Sequence, residues 1–186
     1  NAPKYAIDTY LTSDIQTIFG IIVMPATVVG LIAQFLIHPY LNQIVELYEN
    51  RDLKKLKQLI LKLILVVVGF GIFASFLGYV IGTQVLGIIY GLDLSMYKLG
   101  LAVIIISATL YTIGTLYSAV LTTVRETVSQ FIIYAIVAIS AYILSGMFTK
   151  TWEINGAIIA YLLIMALQSI SYILYTNIKL NKIFKN

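Results

Sequence analysis

The sequence predicts an all-α membrane protein in which residues 1–186 form a single bundle of about five transmembrane helices. The 186-residue chain is 60% hydrophobic and only 11% charged. Its charged residues fall mainly between five apolar blocks, near 15–37, 59–81, 99–121, 128–148 and 154–176. Each block has the roughly 20 residues that an α-helix needs to cross a hydrocarbon core of ~30 Å. The composition and the block pattern together identify lipid as the solvent of this chain.

The first span contains a proline and is preceded by an acidic residue. Asp14 stands where a carboxylate can cap the first helical turn. Pro25 lies inside the apolar block, where it removes one backbone hydrogen bond and crowds the preceding turn. We therefore expect Pro25 to kink the helix or to loosen one turn, and we interpret it as a candidate conformational residue.

The segment 39–58 and the second span each carry a helical pattern. Leu41, Ile44, Val45 and Tyr48 recur at helical spacing, which fits either an amphipathic helix on the membrane surface or a solvated helical extension. In the second span, small residues recur three or four apart and predict close helix packing, with a sliding surface as the second interpretation; they are Gly71, Ser75, Gly78 and Gly82. The apolar stretch 85–90 is too short to span and extends this helix or lies at the interface.

The third span carries a polar stripe. Ser107, Tyr111, Thr115 and Ser118 fall on one face at spacings of three and four. Hydroxyl groups can bond the carbonyl one turn earlier, so each residue alone fits an ordinary helix interface. The stripe as a whole favours a face that lines a wet cavity. Gln168, deep in the fifth span, is either an interhelical hydrogen-bond partner or a further cavity residue.

The basic residues predict the orientation. Nine of the twelve fall on one side of the predicted membrane: Arg51, Lys54, Lys55, Lys57, Lys62, Arg125, Lys179, Lys182 and Lys185. Only Lys4, Lys98 and Lys150 fall on the other side. The positive-inside rule then places the N-terminus outside and the C-terminus in the cytoplasm, with Tyr97 and Trp152 at the outer interface.

The composition excludes several kinds of site. The chain has no cysteine and one histidine, His38, so neither a thiolate metal site nor a His-rich centre is expected. Paired carboxylates and glycine-rich phosphate loops are missing from the sequence. We therefore expect no enzymatic activity and no cofactor. Because the basic residues lie at the membrane edges and do not form one face, we also expect no nucleic-acid partner. The chain begins without methionine, which we interpret as a fragment of a longer protein.

Three segments carry a resemblance to a known family: NAPKYAID at 1–8, FGIIVMPA at 19–26, and YGLDLS at 90–95 followed by YKL at 97–99. They resemble bacterial polysaccharide flippases of the multidrug/oligosaccharidyl-lipid/polysaccharide exporter superfamily. The resemblance implies part of the second of two helix bundles, with the N-terminal bundle of the same protein as the missing partner. It further implies transport of an undecaprenyl-diphosphate-linked oligosaccharide across the bacterial cytoplasmic membrane by alternating access.

The resemblance directs attention to cationic residues that could hold a diphosphate. Lys4, which shares the opening segment with Asp8, and Arg125 are the candidates. Each also fits a simpler interpretation, Lys4 as an outer-loop charge and Arg125 as a topology determinant. Two other functions remain open at this point, a membrane polymerase or ligase of the same pathway and a scaffold bundle that transports nothing.

Overall fold

The computed structural model describes residues 2–184, and these residues are almost entirely helical. Seven α-helices follow one another along the chain: α1 (Ala2–Tyr10), α2 (Ser13–Ile37), α3 (Leu41–Glu49), α4 (Leu53–Leu77), α5 (Thr83–Tyr90), α6 (Lys98–Thr123) and α7 (Thr127–Ile183). Short 3₁₀ turns precede α3 and α6, and a π-helical turn, Gly78–Gly82, joins α4 to α5 without a break. The predicted all-α bundle is confirmed, and no strand occurs in residues 2–184.

Four continuous helical segments of residues 2–184 are long and apolar enough to cross a membrane, and the last of them folds back on itself. Helix α7 has 57 residues, which would measure roughly 85 Å if it were straight. The backbone instead reverses at Trp152 and Glu153, where φ is −126° and 50°. We refer to residues 127–151 as the first arm of α7 and to residues 154–183 as its second arm. With this reversal the chain makes five passes.

Contacts between the two arms of α7 show that they are antiparallel. The hydroxyl groups of Ser129 and Tyr175 lie 2.5 Å apart near the open end. Next to the turn, Gly156 packs directly on the backbone carbonyl of Phe148, where any Cβ would clash. We call the end that carries Arg51, Arg125 and the Ser129–Tyr175 contact the basic end, and the end that carries Trp152 the hairpin end.

Helix α6 is the centre of the bundle and packs against α2, α4 and both arms of α7. The small residues predicted to allow close packing do so along the seam between α4 and α6. A Cβ on Gly78 would lie 2.5 Å from Ile105 Cδ1, and one on Gly82 would lie 2.6 Å from Leu101 Cδ2. Ser75 donates a hydrogen bond of 3.1 Å across the seam to the Ala102 carbonyl. The packing interpretation of this stripe is confirmed.

One connecting segment differs from expectation and two follow it. No helix is predicted before residue 15, whereas residues 2–10 form α1, which packs against α7. Helix α3 has the predicted helical spacing, and its Ile44 is 1% exposed because it packs into the bundle core. The stretch 85–90 extends the second span as α5, which was one of the two alternatives.

Helix α2 runs without interruption through Pro25. Its first turn contains Asp14, but Thr12 occupies the N-cap position and no side-chain hydrogen bond caps the helix. The expected capping by Asp14 is therefore wrong. The conformational role of Pro25 stays a prediction.

Candidate functional site

A cavity of about 440 Å³ opens between the two arms of α7, beside α6 and α1. Tyr111 comes from the middle of α6, thirteen residues after Lys98 and twelve before Thr123. The cavity therefore lies near the midplane of the bundle. Its lining residues are Ala2, Pro3, Tyr111, Tyr134, Val137, Ala138, Ala141, Tyr161, Ile164, Met165 and Gln168.

The polar groups of this cavity are three phenols and one amide. Tyr111, Tyr134, Tyr161 and Gln168 come from three different passes. Within residues 2–184, their hydroxyl and amide groups make no side-chain hydrogen bond. The lining includes no charged side chain. A cavity of this kind offers aromatic faces and neutral hydrogen-bonding groups to a ligand, and it offers no counter-ion for a charged one.

Lys4 borders a small cleft next to the cavity. The cleft measures about 120 Å³ and is lined by Pro3, Lys4, Phe19, Gly20, Val23 and Tyr161. Pro3 and Tyr161 line both spaces, so the cleft adjoins the cavity. Lys4 is exposed and lies on helix α1 rather than in a loop, and its contact with a diphosphate stays a prediction.

The distance of the cleft from the hairpin end can be read from the residues of α2 and α7 that line it with Lys4. Gly20 is seven residues into α2, and Tyr161 is seven residues past the start of the second arm of α7. Seven residues of α-helix correspond to roughly 10 Å. Lys4 therefore lies well below the hairpin end of the bundle. Lysines at such depth in membrane proteins are rare and commonly belong to substrate or ion pathways.

The polar stripe of α6 is divided between several environments. Tyr111 alone lines the cavity. Ser107 is fully buried and donates to the Val103 carbonyl at 2.7 Å, and Thr115 donates to the Tyr111 carbonyl at 3.0 Å. Ser118 donates to the amide oxygen of Gln130 at 2.9 Å. Three of the four stripe hydroxyls thus already have a protein partner.

Arg125 lies at the basic end, in the turn between α6 and α7. It is exposed and has a φ of 60°, in the left-handed region. Its backbone N–H bonds the Thr122 carbonyl at 3.0 Å, and the next N–H, of Glu126, bonds the Leu121 carbonyl at 3.0 Å. This is the Schellman arrangement, in which glycine usually holds the position of Arg125. The cavity does not include Arg125.

A polar network next to Arg125 joins the two arms of α7. The Glu126 carboxylate forms an ion pair with Lys179 and accepts a hydrogen bond of 3.0 Å from Ser129. The Tyr175 hydroxyl contacts both Ser129 and, at 3.3 Å, Glu126. The hydrogen bond from Lys179, followed by that from Ser129, lowers the pKa of the Glu126 carboxyl below its ordinary value. This network closes the open end of the hairpin.

The remaining candidates lie elsewhere. Asp8 is on the exposed side of α1, and it lines neither the cavity nor the cleft. Within residues 2–184 no cluster of three His, Cys, Asp or Glu side chains could hold a metal ion. Sequence reasoning missed Tyr134 and Tyr161, whose only signal was a tyrosine inside a predicted apolar span. It also missed the pairing of Glu126 with Lys179, which requires the turn at Glu153.

Comparison of the chain with protein-family models, with curated proteins and with solved structures gave no match. The all-α membrane bundle and its cavity therefore stand on the sequence and geometry of this chain alone.

Proposed function

We propose that this chain is part of a flippase that moves an isoprenyl-diphosphate-linked oligosaccharide across the bacterial cytoplasmic membrane, with its basic end in the cytoplasm. The observation that carries the proposal is the neutral, tyrosine-lined cavity at mid-depth with Lys4 bordering the adjoining cleft. The resemblance of residues 1–8, 19–26 and 90–99 to polysaccharide flippases supports the same function.

The chemistry of the two spaces fits the two polar parts of such a cargo. Sugar hydroxyls can donate to and accept from Tyr111, Tyr134, Tyr161 and Gln168, while the apolar faces of sugar rings can rest on the phenol rings. A diphosphate needs cationic donors, and Lys4 borders the cleft that adjoins this cavity. In this proposal the oligosaccharide occupies the cavity and the diphosphate lies at the cleft.

Alternating access completes the proposal. A second helix bundle of the same protein would rock against this one around the midplane site, as in other transporters built from two bundles. Arg125 follows α6 fourteen residues after Tyr111, roughly 20 Å along the helix axis. Arg125 would therefore contact the diphosphate at the cytoplasmic leaflet, before the cargo reaches the cavity. No covalent step is required.

A cavity-filling substitution tests this function. We would reconstitute the protein into proteoliposomes with a lipid-linked oligosaccharide and measure the exposure of the sugar to a lectin on the opposite side. Ala138→Phe places a ring in the cavity and should abolish flipping. The next residue, Ile139, is 64% exposed and does not line the cavity, so Ile139→Phe should leave flipping unchanged. Equal flipping by both variants would contradict the proposed cargo site.

A binding measurement separates the two parts of the cargo. Lys4→Gln should weaken binding of both the sugar-bearing lipid and the sugar-free isoprenyl diphosphate. Ala138→Phe should weaken binding of the sugar-bearing lipid alone. If Lys4→Gln leaves both affinities unchanged, the diphosphate is held elsewhere.

A further inference from the structure

A second space of about 520 Å³ lies between α1 and the first arm of α7, on the outside of the bundle. We call it the α1–α7 groove. It shares only Ala2 with the midplane cavity. Its lining residues are Ala2, Tyr5, Ala6, Thr9, Tyr10, Tyr142, Ile143, Gly146, Met147 and Lys150.

The groove is open on the outer surface of the bundle. Tyr142 is 81% exposed and Met147 is 61% exposed, and they continue an apolar surface that includes Ile139 and Ile143 on the same arm. Gly146 forms part of the floor, where the Tyr10 ring lies 3.9 Å from the position of an added Cβ. In a bundle that spans a membrane, an exposed apolar groove such as this one is accessible to acyl chains rather than to water.

One end of the groove is cationic. Lys150 is exposed in the last turn of the first arm, two residues before Trp152, which places its ammonium group near the level of lipid headgroups. Within residues 2–184 no carboxylate lies within ion-pair distance of Lys150; the ion pairs there are Lys55–Asp52 and Lys179–Glu126. The phenol groups of Tyr5, Tyr10 and Tyr142 supply further hydrogen-bond donors along the groove.

We propose that the α1–α7 groove binds an anionic phospholipid of the surrounding bilayer. Its acyl chain lies on Ala6, Ile143 and Gly146, and its headgroup phosphate contacts Lys150. The apolar length, the single free cation at one end and the position in the lipid phase together define an amphiphile with a negative headgroup. This site is separate from the cargo cavity, so it does not depend on the proposed transport function.

Trp152 provides the probe, because it is the one tryptophan of the 186-residue chain and follows Lys150 by two residues at the hairpin end. We would reconstitute the protein in nanodiscs that contain both phosphatidylglycerol and phosphatidylcholine. One of the two lipids carries brominated acyl chains, and the quenching of Trp152 fluorescence is measured for each choice. Phosphatidylglycerol should be preferred roughly fivefold, the factor that one interfacial lysine supplies. Lys150→Gln should remove the preference, and Lys98→Gln, at the same end but outside the groove, should retain it.

A second variant tests the groove rather than the charge. Gly146→Leu fills the floor and keeps Lys150, so it should reduce quenching by both brominated lipids and abolish the rise in melting temperature that phosphatidylglycerol gives the unchanged protein. Equal quenching by the two lipids in the unchanged protein would overturn the proposal. So would a preference that survives Lys150→Gln, or stronger competition by a sugar-free isoprenyl phosphate than by phosphatidylglycerol.

Discussion

The close contact between Gly78 and Ile105 in the seam between α4 and α6 predicts how substitutions at these two residues change stability. A Cβ placed on Gly78 would lie 2.5 Å from Ile105 Cδ1, and the next atom, Leu101 Cγ, is 3.8 Å away. Carbon atoms in good contact are about 3.5–4.0 Å apart, so Cδ1 is the sole atom that an alanine at 78 would overlap. Ile105→Val removes Cδ1 and little else.

The expected free energies follow from that geometry. Ile105 is 2% exposed and has little room to move, so Gly78→Ala should destabilise the protein by about 1–3 kcal/mol. Ile105→Val alone should cost about 0.5–1.5 kcal/mol through the cavity that it leaves. The double variant fills that cavity with the new methyl group. It should therefore cost no more than Ile105→Val alone, which corresponds to a favourable coupling of about 1–3 kcal/mol.

Unfolding in mixed micelles, titrated with a denaturing detergent and followed by helical circular dichroism, measures these differences. Gly69→Ala is the matched control, because nothing lies within 4 Å of the added Cβ and the residue is in α4, which leads without a break into the turn that holds Gly78. It should be neutral or stabilising by up to about 1 kcal/mol, and it should be additive with Ile105→Val. Additivity of Gly78→Ala with Ile105→Val would refute the seam described above.

Three further predictions concern the turns of the α6–α7 region. Arg125→Gly should stabilise the folded protein by about 1 kcal/mol, because glycine adopts the left-handed backbone of this position without strain. Arg125→Lys should leave the free energy of unfolding unchanged. No gain in stability for glycine would argue against the left-handed conformation. The pKa of Glu126 is lowered, chiefly by the hydrogen bond from Lys179, so its contribution to stability should be complete above the ordinary value of 4.5 and be lost as pH falls through the lower folded value. Glu126→Gln should abolish that component of an acid titration, and an unchanged titration would show that the contact is not formed. Gly156→Ala should separate the α7 arms because its Cβ meets the Phe148 backbone, and cross-linking of cysteines placed at 129 and 175 should fall; retained cross-linking would contradict the close approach.

The five passes could be predicted from the sequence because hydrophobic length is a local property. The same is true of the small-residue seam, where Gly78 and Gly82 repeat at the spacing of one helix face. Helix α1 was missed because Pro3, Lys4 and Asp8 make the segment too polar and too short for a span. Its helical state depends on packing against α7, which no local pattern in residues 2–10 reveals.

The cavity was predicted only in part, for a reason that lies in the position of α6. A polar stripe indicates a water-filled cavity when the opposite face of its helix contacts lipid. Helix α6 instead packs against other helices on several sides, and Ser107 and Thr112 are completely buried. Its hydroxyls therefore bond the helix backbone or Gln130. Tyr134 and Tyr161 reach the cavity from the two arms of α7, whose register is fixed by the reversal at Glu153. That reversal uses a positive φ without glycine and so leaves little trace in the sequence.

The cavity and the close contacts of α6 give the bundle regions of different mechanical stiffness. On the α4 flank of α6, glycines and serine bring the backbones into close contact, and on the other flank a Cβ on Gly114 would lie 3.2 Å from Ser169 Cα of the second arm of α7. Close-packed interiors of this kind have low compressibility. The cavity lies between the two arms of α7, and the hydroxyls of Ser145 and Thr149 on the first arm are buried without a partner in residues 2–184. A load applied at the basic end would thus move α4, α6 and the second arm of α7 together. The strain would fall on the first arm, between the Glu126–Lys179 ion pair and the backbone turn at Glu153.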